Sequence, residues 1–240
     1  ALALLGACSD GDGDNSNGPA AQPFQELMDQ GVTRFLGMYS PMLTTEEEGV
    51  VNYQFGIGEG PRCLDGGAYT MATRDQGSED LMIFLQGGGA CWFDLCAATS
   101  EAATGIPDAG ILDPARSDNP LADINTVYLP YCDGGLHNLS AALDVAVQRF
   151  PSPNRIVLAG VSGGGYGTIF AMPLVRQLYP DIPLEVINDS GLGITRPDDA
   201  AFNEQIIDYW NIAGFFPESC SECLVQGDPT EFLDWQLQQD

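Results

Sequence analysis

Arg155-Ile-Val-Leu-Ala-Gly-Val-Ser-Gly-Gly-Gly-Tyr-Gly-Thr-Ile-Phe170 is the stretch that decides the predicted fold. The apolar, β-branched run at its start predicts a buried strand, and the residues after the glycines predict a helix. Between them, Gly160-Val-Ser-Gly-Gly164 fits the pattern G-x-S-x-G, in which a serine occupies a sharp strand-to-helix turn. Gly160 and Gly164 lack a Cβ atom, so the strand and the helix can approach closely around that serine. The sequence therefore predicts a strained backbone at Ser162, with its hydroxyl at the positive end of the helix.

A second glycine motif follows another apolar run. Leu81-Met-Ile-Phe-Leu85 has the continuous apolar character of a strand covered on both faces, and it leads into Gln86-Gly-Gly-Gly-Ala-Cys-Trp92. In α/β-hydrolases such a loop donates a backbone N–H to the oxyanion that forms when the serine attacks a carbonyl carbon. Ser162 is therefore the predicted nucleophile, and the predicted oxyanion donors are Gly163 together with Gly88 or Gly89. The alternative interpretation of both motifs is structural, because glycine and serine are common in turns and surface loops.

Strand and helix patterns alternate along the rest of the chain. This alternation predicts an α/β fold of the α/β-hydrolase type, with a mostly parallel sheet and flanking helices. We expect two regions, residues 1–23 as a signal remnant and acidic linker, and residues 24–240 as a partial α/β-hydrolase domain. The predicted strands lie near 50–55, 68–73, 81–85, 124–132, 156–158 and 184–187, and the predicted helices near 24–39, 139–150, 163–179 and 199–213.

The charge of the chain limits its partners. It has 34 acidic and 8 basic residues and a formal net charge of -26. This charge repels phosphate backbones, so nucleic acid is not an expected partner. The sequence also contains no run of about twenty apolar residues that would predict a membrane-spanning helix.

The first residues are similar to a bacterial lipoprotein signal. Ala1-Leu-Ala-Leu-Leu-Gly-Ala-Cys8 ends in small residues before a cysteine, as in a lipobox, which predicts lipidation of Cys8 and an exported protein. We expect contact with a membrane only through that lipid, in the bacterial cell envelope or outside the cell. The alternative is a frayed apolar terminus. In the linker after Cys8, Asp10, Asp12 and Asp14 alternate as in a calcium loop, but Ala21 replaces the glutamate that such a loop requires, so no metal site is predicted.

The cysteines predict disulfides. Six of the seven cysteines remain when Cys8 is set aside, an even number that suits three disulfides in an oxidising compartment. Cys91 and Cys96 could close a small loop beside the glycine triplet, whereas Cys220 and Cys223 could pair with each other or with other partners. A zinc site is the alternative, but the chain has no second C-x-x-C motif and no nearby histidine.

Five short motifs carry a family resemblance. In chain order they are Arg62-Cys-Leu-Asp-Gly66, Phe84-Leu-Gln-Gly-Gly-Gly-Ala-Cys-Trp92, Tyr131-Cys-Asp-Gly134, Gly160-Val-Ser-Gly-Gly-Gly165 and Asn188-Asp-Ser-Gly191. Together they resemble the pectin acetylesterase/Notum family of serine hydrolases, over about residues 50 to 225. The resemblance implies an α/β-hydrolase fold, hydrolysis of carboxylic esters by a Ser-Asp-His triad without a metal or organic cofactor, and a disulfide between Cys63 and Cys132.

The chain departs from the family pattern at three places. Family members usually carry a tryptophan directly after the Gly-Gly pair, whereas this chain has Gly89-Ala-Cys-Trp92, so we expect the aromatic wall of the pocket to be displaced. Gly163 replaces an alanine that often follows the serine, which leaves the N–H donor in place. The only histidine, His137, precedes Ser162, whereas the family order is serine, acid, histidine, so we expect the triad acid and base beyond Asp240. His137 as the base and Asp189 as its partner are the alternative. A surface histidine at a helix start and a turn-forming aspartate are the more common roles.

These motifs predict a serine carboxylesterase that removes acyl groups, acetyl above all, from a carbohydrate (a pectin-like polysaccharide) or from another small acyl ester. The net charge argues against pectin itself at low salt, because pectin is a polyanion. The alternative is a lipid-anchored binding protein that keeps the hydrolase scaffold without its chemistry.

Overall fold

The structure is a computed structural model of the 240-residue chain. It describes residues 22–56, 58, 60–88, 91–92, 95–96, 101–132, 135–191, 199–225 and 229–239. Only the backbone is described at 91–92, 95–96, 200, 224–225 and 229–230. The predicted lipidation site at Cys8, the acidic linker and Gly89 lie outside the described residues.

The main sheet has seven strands, and a separate pair of short strands follows the fourth strand of the chain. The short pair is β5 (Cys91–Trp92) and β6 (Leu95–Cys96). The main sheet contains β1 (Leu43–Glu47), β2 (Val50–Gln54), β3 (Thr70–Arg74), β4 (Asp80–Leu85), β7 (Asn125–Leu129), β8 (Arg155–Val161) and β9 (Leu184–Asp189), in the spatial order β1-β2-β3-β7-β4-β8-β9.

The strands that carry the predicted motifs are parallel. β7, β4, β8 and β9 run in the same direction, and β1, β2 and β3 extend the sheet by antiparallel pairing. Leu85, the last residue of β4, pairs with Leu129 on one side and with Gly160 on the other. The loops that follow these four strands therefore leave the sheet at one edge, which is where α/β proteins place their sites.

Six α-helices accompany the sheet in the described part of the chain. They are α1 (Gln25–Asp29), α2 (Leu136–Arg149), α3 (Gly163–Leu178), α4 (Ala200–Trp210), α5 (Ser221–Val225) and α6 (Pro229–Leu237). The alternating side chains of β4 divide the core between the two faces of the sheet. Leu81, Ile83 and Leu85 belong to the cluster that includes α2 and α3, whereas Met82 and Phe84 pack with residues of the segment before β7. The prediction that β4 is covered on both faces is confirmed.

Three predicted helix boundaries were wrong. The helix predicted over 24–39 is only the five residues of α1, because Gly31 (φ +82°) and Gly37 (φ +75°) adopt left-handed backbone conformations. α2 begins three residues earlier than predicted, at Leu136. α4 begins after its predicted cap, Asp199, whose side chain accepts a hydrogen bond from the Phe202 N–H. It ends at Trp210 rather than near residue 213, because Asn211 takes the left-handed conformation (φ 53°).

Two disulfides are present among the described residues. Cys63 bonds to Cys132, as the family resemblance implies, and Cys220 bonds to Cys223. Cys91 and Cys96 are directly opposite each other in the β5–β6 pair, and their side chains lie outside the description. Such bonds persist in oxidising environments, which supports an extracytoplasmic location. Within the described residues, no helix combines the length and the apolar character that crossing a bilayer requires.

Candidate active site

Ser162 occupies a strained turn between β8 and α3. Its backbone angles are φ 52° and ψ -116°, outside the conformations that a non-glycine residue adopts without cost. The residue is exposed, at the carboxyl end of β8, and α3 begins immediately after it. The prediction of a strained strand–serine–helix turn agrees with these angles. A hydroxyl in this position stands at the positive end of a 16-residue helix.

Two glycines make the turn possible. A Cβ atom at Gly160 would stand 2.2 Å from the carbonyl oxygen of Gly164, and one at Gly164 would stand 2.0 Å from the carbonyl oxygen of Leu85. Both contacts are with backbone atoms, which cannot rotate away. The G-x-S-x-G spacing therefore lets α3 begin directly against the end of β8 and the end of β4.

The glycine loop after β4 lies against Ser162. A Cβ atom at Gly87 would stand 2.2 Å from the carbonyl oxygen of Val161 and 3.1 Å from the Cβ atom of Ser162. Gly88 instead packs on the ring of Tyr131, which a Cβ atom there would approach to 2.2 Å. Gly163 is the first residue of α3, so its N–H group has no acceptor within the helix. Of the predicted donor residues, Gly163 and Gly88 thus lie on the same edge of the sheet, and Gly87 is the glycine in contact with Ser162.

The end of β9 holds the turn from the other side. The Ser162 N–H donates a 2.7 Å hydrogen bond to the carbonyl oxygen of Asp189. The side-chain oxygen of Asn188 accepts from the Gly191 N–H at 2.9 Å, and its amide donates to the carbonyl oxygen of Gly165 at 2.8 Å. The Asp189 carboxylate accepts a 2.8 Å hydrogen bond from the Ser190 hydroxyl, which agrees with the turn role that the sequence favours for it.

A cavity of about 310 Å³ adjoins the turn. Gly163, Gly164 and Gly167 of α3 line it, and so do Arg34 and His137. Apolar side chains complete its wall, among them Phe170, Trp210 and Phe215. The cavity thus connects the start of α3 with a group of polar and charged side chains near the start of α2.

Known proteins are similar in sequence to part of this chain. No model of a known protein family matches the chain. Curated relatives that do match include two palmitoleoyl-protein carboxylesterases of Xenopus laevis. The protein notum2 is 26% identical over 217 residues, and notum1' is 24% identical over 216 residues. Each match covers 69% of this chain and 44% of the relative. The NOTUM protein of Schmidtea mediterranea is 28% identical over 154 residues, or 48% of this chain and 28% of the relative. These matches support the resemblance of the chain to the pectin acetylesterase/Notum family. The chain spans less than half of the length of each of these Notum relatives.

The single histidine of the chain, His137, precedes Ser162 in the sequence, whereas the order in α/β-hydrolases is serine, acid, histidine. His137 Nδ1 shares a short hydrogen bond with the Tyr39 hydroxyl, and its ring stacks on Phe35 with a centroid distance of 3.9 Å. Burial, then the charges of Arg34 and Arg62, lower the pKa of His137 below its ordinary value, so the ring is neutral at pH 7. His137 does lie at a helix start, as the second residue of α2 after the cap at Gly135, but it is half-buried rather than on the surface.

Two polar side chains that the sequence analysis did not single out support the family motifs. Gln86 connects two loops, because its side-chain oxygen accepts from the Tyr131 N–H at 3.0 Å. Asn138 accepts from the Arg62 N–H at 2.8 Å and donates to the Arg62 carbonyl oxygen at 3.0 Å, which fixes the segment before Cys63 on α2. Both are neutral amides without a catalytic pattern, and only the place of Gln86 within one motif and of Asn138 near another could have indicated a role.

Proposed function

We propose that this chain carries the nucleophile of a serine carboxylesterase and that Ser162 is that nucleophile. The observation that carries the proposal is the combination of a left-handed φ angle with an exposed side chain at the carboxyl end of β8. A turn of this kind costs stability and persists where the serine must project from the sheet. The names of the Notum relatives describe carboxylesterases, which supports the same reaction class.

In the proposed reaction the Ser162 hydroxyl attacks the carbonyl carbon of an ester as a base accepts its proton. The N–H of Gly163 and a second N–H from the loop after β4, that of Gly88 or Gly89, stabilise the oxyanion. The alcohol leaves, and water then hydrolyses the acyl-enzyme. The side chains of His137 and Asp189 bond to Tyr39 and Ser190 rather than to Ser162, so we assign neither as the base.

The proposed substrates are acyl esters of carbohydrates or of similar small alcohols. The names of the relatives specify palmitoleoyl-protein as their substrate, and we transfer only the ester bond to this chain. We further propose that the protein is exported, because both described disulfides need an oxidising compartment. Attachment to a membrane through a lipid on Cys8 remains a separate proposal, from the sequence of residues 1–8.

The test compares two serines at the same edge of the sheet. Ser190 follows β9 as Ser162 follows β8, is exposed, and also has a positive φ angle, of 62°. In the complete natural protein, we expect a fluorophosphonate probe to label the wild type and Ser190→Ala but not Ser162→Ala. Hydrolysis of an acetyl ester should fall at least about a thousandfold in Ser162→Ala.

Two results would contradict the proposal. Labelling that persists in Ser162→Ala would show that another residue is the nucleophile. A wild-type protein that is folded but neither labelled nor hydrolytic would favour the alternative, a binding protein on a hydrolase scaffold.

A further inference from the structure

The first strand of the chain forms an open edge of the main sheet. β1 pairs with β2 on one side, and no strand in the described part of the chain pairs with its other side. All five of its residues are exposed. A strand that buries none of its side chains gains little from the hydrophobic effect, so β1 is held mainly by its hydrogen bonds to β2. An open edge of this kind is a template for a further strand.

The turn between β1 and β2 fixes the pattern of hydrogen bonds in this hairpin. Glu48 and Gly49 both have positive φ angles, 50° and 78°, as in a type I′ turn. Glu47 lies directly opposite Val50 across the turn. In a two-residue hairpin the residues next to the turn exchange both of their backbone hydrogen bonds, and this exchange recurs at every second pair of the ladder.

Only every second residue of β1 therefore uses its backbone groups in the hairpin. Counted from the turn, the residues that bond to β2 are Glu47, Thr45 and Leu43. The N–H and C=O groups of Thr44 and Glu46 point away from β2, toward the open side. Two donors and two acceptors are thus available to a partner strand.

The two ends of this edge differ in chemistry, and we call residues 42–48 the β1 edge. Glu46, Glu47 and Glu48 place three exposed carboxylates at one end, and none of them forms an ion pair within the described part of the chain. At the other end, Met42 is 72% exposed and Leu43 is 51% exposed. A partner that covers the whole edge needs apolar side chains at one end and positive charge at the other.

Charge argues against a second copy of this chain as the partner. In a parallel pair of β1 strands the carboxylates of both copies would lie side by side. In an antiparallel pair the apolar end of each copy would face the carboxylates of the other. Each copy also carries a net charge of -26, which repels a second copy and attracts a basic protein.

We propose that the β1 edge binds an extended segment of a basic protein, which adds a strand to the sheet beside β1. Backbone groups of the segment bond to those of Thr44 and Glu46, and its lysines or arginines lie beside the three carboxylates. Its apolar side chains cover Met42 and Leu43. Four strands separate β1 from β8, a distance of about 24 Å, so the bound segment leaves Ser162 accessible. The proposal does not depend on the proposed function.

The test uses two synthetic peptides that differ only in their backbone. The first is Lys-Thr-Lys-Thr-Val-Thr-Val with a fluorophore, whose basic half meets the carboxylates when the peptide pairs antiparallel to β1. The second has the same side chains and charge, but its backbone nitrogens are methylated. Fluorescence anisotropy measures binding to the complete natural protein at low salt. We expect the first peptide to bind at least about tenfold more tightly, because only it donates hydrogen bonds to the edge. Equal affinities, or no binding of the first peptide, would overturn the proposal.

The variant Thr44→Pro tests the backbone contact without changing the charge. It removes one outward N–H group, and proline is tolerated where an edge strand faces solvent, so the urea midpoint should stay close to that of the wild type. Binding of the first peptide should weaken at least about tenfold, whereas wild-type affinity would contradict the proposal. If the protein instead forms dimers that Thr44→Pro dissociates, the occupant is a second copy and the proposal of a basic partner fails.

A charge variant separates the β1 edge from general attraction to an acidic protein. Replacing the three glutamates of the edge with glutamine should weaken binding about tenfold at low salt and reduce its dependence on salt. The matched control Asp181→Asn/Glu204→Gln/Asp208→Asn removes three exposed carboxylates from the loop before β9 and from α4, and should leave binding nearly unchanged. Equal weakening in the two triple variants would show that the peptide follows the net charge alone, and the proposal would then be wrong.

Discussion

The side-chain amide of Asn188 donates a 2.8 Å hydrogen bond to the carbonyl oxygen of Gly165, and thereby connects the end of β9 to the first turn of α3. The oxygen of the same side chain accepts from the Gly191 N–H at 2.9 Å. One residue further along, the Asp189 carbonyl oxygen accepts from the Ser162 N–H. The strained turn at Ser162 is therefore held by the neighbouring strand as well as by its own strand and helix.

We expect Asn188→Asp to destabilise the protein by about 1 to 3 kcal/mol, because a carboxylate oxygen would replace the N–H group that faces the Gly165 carbonyl oxygen. Urea unfolding measures the loss. Asn154→Ala is a suitable control, since it removes an exposed hydrogen bond to Glu79 and should change stability by less than about 0.5 kcal/mol. A variant Asn188→Asp as stable as the wild type would show that this amide does not hold the turn.

We expect Gly164→Ala to destabilise the fold by about 3 kcal/mol or more, because the new methyl group would meet the Leu85 backbone at 2.0 Å. Gly214→Ala provides the matched control, since a Cβ atom at Gly214 has no neighbour within 4 Å and the backbone there is not left-handed. Its stability should be unchanged or slightly higher. Similar unfolding midpoints for the two variants would mean that α3 can move away from β4.

The sequence predicts the fold best where one local pattern determines the structure. The apolar run of β4 and the glycines around Ser162 specify a buried strand and a sharp turn without help from distant residues. The helix predicted over 24–39 fails because its apolar spacing is correct but Gly31 and Gly37 adopt left-handed conformations. Whether a glycine continues or ends a helix depends on tertiary contacts that periodicity does not contain.

The candidate site was predictable only in part, for a similar reason. Ser162 and Gly163 belong to one motif and can be found by reading along the chain. Arg34, Arg62 and His137 share no motif in the sequence, and they lie near one another only through tertiary contacts at the start of α2. The contact of Gly87, rather than Gly88, with Ser162 depends on the direction in which the loop leaves β4. Sequence spacing does not specify that direction.

The Cys63–Cys132 disulfide should contribute more stability than the Cys220–Cys223 disulfide. It closes a loop with a sequence separation of 69, against 3 for the other. Loop-closure entropy then gives about 4 kcal/mol for the long loop and about 2 kcal/mol for the short one. The double variants Cys63→Ala/Cys132→Ala and Cys220→Ala/Cys223→Ala, compared by urea unfolding, measure this difference. Equal losses would show that chain entropy is not the main contribution of these bonds.

The environment of His137 predicts a specific dependence of stability on pH. Burial first, and then Arg34 and Arg62, lower the pKa of His137 in the folded protein, whereas the unfolded chain keeps the ordinary value of about 6.5. On acidification the unfolded state binds the proton first, so stability falls as the pH drops from about 6.5 to the folded pKa and then levels off.

The variant His137→Gln tests this prediction. It removes the titrating ring but keeps a polar side chain, so its stability should lack that part of the pH dependence. We therefore expect urea unfolding between about pH 7.5 and pH 5 to show that the free energy of unfolding of the wild type, relative to that of His137→Gln, decreases as the pH falls. A difference that grows on acidification would mean that the folded protein favours the charged ring, which requires an anionic neighbour stronger than the two arginines.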